Sequence, residues 1–508
     1  MLKRLFNDPF SRLVLRMCVI FVVAFVAIRF LGLRAFLPML AIAVYGAFSG
    51  KNGMAMLAFT MISVISMMNP LVLPRPQYFS MVARLASVAI SGALVAGATQ
   101  RQGNNRPPLG LLLLFLVTAF VSSIQGYYPP ISYLKIINFA LFVVGVVAGV
   151  SNIDRQKDEI TLLRAGFIAL GAIYVWGSIA TIPFPAVAYL TSLANRINMD
   201  GMAAARDAFR AAGGDGLFAG ISCQSQFLGP CLGCVFGLVA CDMLMLERRA
   251  SPIHILVMLP IPVLMAMTKS RIGLVTFLSA VVFLSIWLIP KIHLSPKDKR
   301  RIKDLARLFV GALIILSITA EVRHSTVSRL LRKTNNIASD ERTLVEAFTN
   351  SRMGVIWESM QDFRRNPIWG KGFQVDSTFE YKFKGHRGLV FSASIEKGVL
   401  PTMILGETGI VGAMMFLVFL WVFYSTCAKR GYYATMLLFS TLLASNMGEA
   451  TFFSPSGAGG VFWLICVAGG FTIDMARKNL EAHPSAAMGT APLNPFRRTR
   501  IQLEAIAP

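Results

Sequence analysis

Long apolar runs alternate along the chain with short polar connections. About 20 consecutive apolar residues cross a bilayer as a helix. Windows of that size predict fourteen spans, at roughly 13–31, 35–49, 54–73, 79–99, 108–124, 131–150, 161–183, 217–245, 253–267, 272–290, 305–321, 399–426, 431–449 and 457–476. The second and ninth are short, and Pro260 and Pro262 predict that the ninth is kinked or re-entrant. The expectation is an all-α polytopic membrane protein with about 12–14 transmembrane helices.

Two segments are too long for simple connections, at about 184–217 and 322–398. Loops of such length usually have a role of their own. The second holds Trp357, Phe363, Trp369 and Phe373 among mixed charges, so it should fold against the membrane domain. Met353, Ile356, Trp357 and Met360 recur at helical spacing, which predicts an amphipathic helix from Asn350 to Arg364 that ends before Pro367. The organisation is then 1–321 with eleven spans, a large partly helical loop at 322–398, three more spans in 399–478, and a tail at 479–508. The tail lacks periodicity and is expected to be disordered.

Composition narrows the class. Of 508 residues 55% are hydrophobic and 15% charged, against about 25% charged in a soluble domain. With a mean hydropathy of +0.62, this excludes a soluble enzyme, a disordered chain and a fibrous repeat. The net charge is +24, from 49 Lys and Arg against 25 Asp and Glu. In a soluble protein such a balance points to nucleic acid; here membrane topology explains much of it. With the N-terminus in the cytoplasm, the fourteen spans put 15 Lys and Arg in short inner connections and five in short outer ones, as the positive-inside rule requires. Both termini then lie in the cytoplasm and both long segments outside. The basic N-terminus precedes an apolar run without a small-residue cleavage site, as in a retained signal anchor.

The large outer loop carries 13 Lys and Arg against eight Asp and Glu, and the topology rule does not govern long translocated loops. Either this is a solvated surface or it meets an anionic substrate such as a phosphate-bearing lipid. Lys269 and Arg271 stand at the outer end of two spans, where cations facing lipid are costly. They snorkel, pair with a carboxylate, or bind substrate. Arg84, within a span, has Glu407 or Asp242 as candidate partner. Glu407 is itself either a functional membrane carboxylate or the structural partner of an arginine. His386 and Glu396, near the outer surface, are either solvated or candidates for general base on a sugar hydroxyl. Cys231 and Cys234 form a C-x-x-C inside an apolar run, read as small residues at a helix contact. No Walker loop, H-E-x-x-H, acidic metal cluster or Rossmann fingerprint occurs, so no metal or nucleotide cofactor is expected.

Four ordered pieces resemble the bacterial O-antigen ligase and Wzy-type polysaccharide polymerase superfamily. Leu217-Phe218-Ala219-Gly220, followed by Gln224 and Gly229, is similar to its R-F-x-G…N-x-x-G entry into a helix. Thr268-Lys269-Ser270-Arg271-Ile272-Gly273 is similar to T-x-S-R-x-G. Ser351-Arg352, Trp357, Pro367, Gly370 and Gly372 are similar to S-R-x-x-x-W…P-x-x-G-x-G. Leu405 to Gly412 is similar to the E-x-G-l-l-G start of the next span. Leu217 stands where many members carry Arg, and Lys397-Gly398 where many carry His-Asn. These departures point to an exopolysaccharide polymerase-like branch.

The resemblance implies a GT-C-like glycosyltransferase fold in the bacterial inner membrane, acting on its periplasmic face. It implies an undecaprenyl-pyrophosphate-linked glycan donor, a glycan or lipid acceptor, and a chain-length regulator or export protein as further partner. Arg271 and Arg352, with Lys269 and Arg210 or Arg206, are implied to hold the pyrophosphate. O-antigen ligase proper is a close alternative. A lipid-linked oligosaccharide flippase or other secondary transporter is the competing class, but no internal repeat of the kind common in transporters is evident.

Overall fold

The computed structural model describes residues 6–69, 71–73, 79–99, 106–126, 129–153, 157–190, 217–246, 251–285, 344–374, 399–448, 450–455 and 457–482. α1 (Pro9–Leu31) starts on Asp8, whose carboxylate accepts the Ser11 N–H at 3.0 Å, and stops at Gly32, which reverses the chain with φ 58°. A 3-10 turn at Gly32–Ala35 leads into α2 (Phe36–Ser49). Then come α3 (Asn52–Ser66), α4 (Phe79–Thr99), α5 (Gly110–Ile124), α6 (Pro129–Ser151) and α7 (Lys157–Thr181). β1 (Tyr189–Leu190) and β2 (Leu217–Phe218) form a two-residue antiparallel pair, with Tyr189 opposite Phe218. α8 (Ser225–Leu246), α9 (Pro252–Met258), α10 (Ile261–Thr268) and α11 (Arg271–Phe283) follow. The last elements are α12 (Leu344–Arg365), α13 (Leu400–Arg430), α14 (Tyr433–Ser445) and α15 (Ala458–Ala482), the last with a π turn at Leu464–Ala468.

Among the described residues, six segments are long and apolar enough to cross a membrane: Pro9–Ser49, Pro129–Ser151, Asp158–Thr181, Ser225–Leu246, Leu400–Arg430 and Ala458–Ala482. The architecture is that of a membrane protein. Helices dominate because lipid offers backbone groups no partners, so each span must satisfy its own N–H and C=O groups. Each predicted span contains helix except the eleventh, 305–321, which lies outside the described residues; the third is helical only to Ser66 of its predicted 54–73, and the end of the tenth, 286–290, is also outside the described residues. The ninth is broken as Pro260 and Pro262 predict, into α9 and α10. The eighth begins at Ser225 rather than 217, because Leu217 and Phe218 pair with β1 instead of continuing the helix. Helix continues to Ala482, past the expected start of the tail. The loop helix α12 is longer at its start than predicted and ends at Arg365, just before Pro367.

Successive spans run up and down between two ends. The end where α1 starts is here called proximal. There the Ser251 hydroxyl reaches Asp8 at 3.0 Å, the Met54 N–H reaches Glu159 at 3.1 Å, and Arg430 reaches the Arg106 carbonyl at 3.2 Å. Arg477, late in α15, donates to the Gly431 carbonyl at 2.6 Å. The first and last described helices therefore have their outer ends on one side. Arg164, Asp242 and His254 form a buried group here: the guanidinium donates to Asp242 at 2.9 Å, and His254 Nε2 lies 2.8 Å from the same carboxylate. Asp242 is thus engaged by Arg164 and His254, not by Arg84. Phe10 packs over Arg164 at 3.9 Å and stacks on His254, tying α1 to the cluster.

At the distal end a loop from Asn446 to Pro455 folds back into the bundle. Its Phe453 meets Phe115, Phe139, Phe373 and Phe452 with ring centroids 5.0–5.5 Å apart. Aromatic pairs are worth about 0.5–1.5 kcal/mol each beyond burial, so this plug anchors α5, α6 and the 366–374 loop to one another. All seven cysteines are free thiols, with Cys231 and Cys234 buried in α8, in line with their reading as helix-contact residues.

Candidate functional site

Two pairs of sequence motifs meet at the distal end. In the first pair α8 and α11 cross with their backbones in contact. A Cβ built on Gly273 would lie 2.7 Å from the Gly229 backbone, and one on Gly229 would lie 2.6 Å from the Ser270 side chain. Only glycine permits such an approach. This seats the Gln224–Gly229 helix entry against Thr268–Gly273. Ser270 caps α11, its hydroxyl accepting the Gly273 N–H at 3.2 Å. Thr268 accepts the Ser270 N–H at 3.3 Å and donates to the Met265 carbonyl at 2.7 Å. Between them Lys269 is held at φ 49°, a left-handed conformation that costs about 1–3 kcal/mol in a non-glycine residue. Lys269 and Arg271 therefore flank Ser270, the N-cap of α11, and both are partly exposed. A helix N-terminus is already positive, so two cations there concentrate a potential suited to an anion.

In the second pair the loop after α12 docks on a kink in α13. Gly409 has φ 64° and ψ −165°, which breaks the helical path. The freed backbone groups are taken over by the loop: Ile410 N–H donates to Pro367 O at 2.9 Å and Val411 N–H to Ile368 O at 3.3 Å. In return Lys371 N–H donates to Gly406 O at 3.0 Å and Gly372 N–H to Glu407 O at 3.1 Å. Gly370 (φ 74°) lies so close that a Cβ would sit 2.4 Å from the Glu407 carbonyl carbon. The glycines of P-x-x-G-x-G and of E-x-G thus serve one contact. Lys371 also pairs with Asp362 on α12, closing the loop onto its own helix.

Glu407 is 2% exposed. Its Oε2 accepts the Gln374 N–H at 2.8 Å, and its carbonyl accepts the Ser122 hydroxyl at 2.7 Å. Gln374, at φ 55°, is a second left-handed residue. Its carbonyl accepts Lys135 Nζ at 2.7 Å and its amide donates to Phe453 O at 3.0 Å. Lys135, buried in α6, joins the site although no motif marks it. The available signal was a lysine inside an otherwise apolar span, a costly residue there.

The two pairs share the 446–455 loop. The Leu400 N–H donates to Asn446 O at 3.1 Å, which ties the start of α13 to that loop. Gly448 packs on Ile272 of the Thr268–Gly273 motif, and Phe453 takes the Gln374 hydrogen bond. Lys269, Arg271 and Glu407 are thus assembled at one end of the bundle. Arg352 lies on α12, but its side chain is outside the described residues, as are Glu396, His386, Arg206 and Arg210 altogether. No protein-family model matches the sequence, and no curated protein matches it.

Proposed function

We propose that this chain is a membrane glycosyltransferase of the O-antigen ligase and Wzy-type polymerase kind, with a GT-C-like fold, in the bacterial inner membrane. It polymerises undecaprenyl-pyrophosphate-linked repeat units on the periplasmic side, which is the distal end. Both termini face the cytoplasm. One observation carries the reading: four motifs spread over about 200 residues, which resemble that superfamily in order, meet at a single end of the bundle.

In this reading Arg271, Lys269 and Arg352 hold the donor pyrophosphate, helped by Arg210 or Arg206 from the 184–217 segment. The acceptor hydroxyl attacks the anomeric carbon and loses its proton to a base, for which His386 and Glu396 are the candidates. The bond from that carbon to the pyrophosphate oxygen breaks, and undecaprenyl pyrophosphate leaves with its charge held by the arginines. Energy comes from the pyrophosphate bond, so no nucleotide is used. Glu407 acts in this scheme by holding the 366–374 loop that follows the Arg352 helix.

The test uses purified protein in vesicles containing lipid-linked repeat units. The expected product is a ladder of longer glycans, lost in Arg271→Ala and Arg352→Ala while protein level in the membrane is unchanged. Wild-type chain-length profiles from both variants reject the assignment. Transbilayer flux of the lipid-linked unit without any glycan product identifies a transporter. In a deletion strain, single repeats retained on lipid mark a polymerase, and untransferred full-length polymer marks a ligase.

A further inference from the structure

α12 presents a continuous exposed face that the glycosyltransferase reading does not use. Met353 is 49% exposed and Trp357 51%, and Ile368, just past the helix, is 56% exposed. Arg364 and Arg365 are exposed beside them, and the Arg364 guanidinium lies 5.4 Å from the Trp357 ring centroid. The opposite face is used: Asp362 is buried in its pair with Lys371, and the Ser359 carbonyl touches α13 so closely that a Cβ on Gly406 would lie 2.7 Å away.

The height of this face follows from α13. Ile410, Met414, Leu417, Val418 and Trp421 form an exposed apolar stripe on that helix, and the stripe ends in Lys429 and Arg430 at the proximal side. From Arg430 to Ile410 is twenty residues, about 30 Å at 1.5 Å per residue, which matches the hydrocarbon thickness of a bilayer. Ile410 therefore stands at the distal interface. Pro367 and Ile368 are hydrogen-bonded to Ile410 and Val411, so Ile368 continues the lipid-facing stripe at headgroup level. A tryptophan stacked with an arginine, apolar neighbours and a second arginine suit that layer, where apolar bodies sink and cations meet phosphate.

We propose that α12 is a membrane-surface helix, with Met353, Trp357 and Ile368 seated in the headgroup layer of the distal leaflet and Arg364 and Arg365 on lipid phosphates. The occupant is phospholipid. The inference rests on the membrane-spanning architecture and not on glycosyl transfer.

Spin labels test it. Met353→Cys, Trp357→Cys and Ile368→Cys are made with Cys18→Ser, the other native thiols being buried. Each is labelled and placed in vesicles of mixed phosphatidylcholine and phosphatidylglycerol. The expected result is accessibility to oxygen with exclusion of a water-soluble nickel chelate, at a depth shallower than a label at Trp421→Cys. The double variant Arg364→Glu/Arg365→Glu should shift the Met353 label toward water in the same vesicles. Labels as open to the nickel chelate as a free label in water overturn the proposal. So do labels shielded from both oxygen and nickel, which mean that a protein surface covers the face.

Discussion

Gln374 shows how much one residue carries here. It occupies a left-handed conformation that few side chains adopt, and its N–H, C=O and amide are all engaged, by Glu407, Lys135 and Phe453. Backbone in such a conformation persists only where its surroundings over-determine it. The prediction at this scale concerns its partner. Glu407→Ala leaves the buried Gln374 N–H without its carboxylate acceptor, a loss of about 1–3 kcal/mol. Glu407→Gln keeps an acceptor of the same size and should lose less. Thermal unfolding of the detergent-solubilised protein reads the order, and a Gln variant melting below the Ala variant would sink the positioning role. Glu407 was legible in the sequence as a carboxylate that needs a reason. Its partner Gln374, a polar residue in a loop, gave no signal, because its conformation is imposed by three elements distant in the chain.

Glycines decide how elements meet. α8 and α11 touch at Gly229 and Gly273, where an added Cβ would fall within 2.7 Å of its neighbour. Gly229→Ala should therefore destabilise, by about 1–3 kcal/mol if the helices separate as in other overpacked contacts. Gly354, in the exposed part of α12, has open space around its Cβ position. Gly354→Ala should stabilise by about 0.5–1 kcal/mol, since alanine restricts the unfolded chain and suits a helix. The same substitution thus has opposite signs, and paired melting curves check both. Equal shifts in one direction would show that contact geometry is not what separates the two sites. That Gly229 and Gly273 form one crossing could not be read from spacing, since either glycine alone also fits a flexible helix.

At the scale of the whole molecule, α12 packs against the Gly406 end of α13, so it and the Lys429–Arg430 end stand at opposite ends of that helix. With the distal end outward, an impermeant maleimide added to intact cells should label Asn366→Cys, exposed at the end of α12 and off its lipid-seated face, and not Lys429→Cys. Labelling of the second and not the first would invert the orientation; equal labelling of both would mean that α13 does not cross the membrane. The span pattern was legible in advance because lipid demands long apolar helices with internally satisfied backbones, a local property of sequence. The amphipathic loop helix and its stop before Pro367 were legible for the same reason, since side-chain periodicity and proline sterics act within a few residues. The chain by itself therefore determined a membrane-spanning all-α architecture, the broken ninth span and the presence of α12. Tertiary structure alone decided that Asp242 belongs to Arg164 and His254, that residues 217–218 form a strand, and that Pro367–Gly372 cover the Gly409 kink. Those choices depend on backbone groups tens to hundreds of residues apart finding one another in a medium without water, where an unpaired polar group costs too much to leave open.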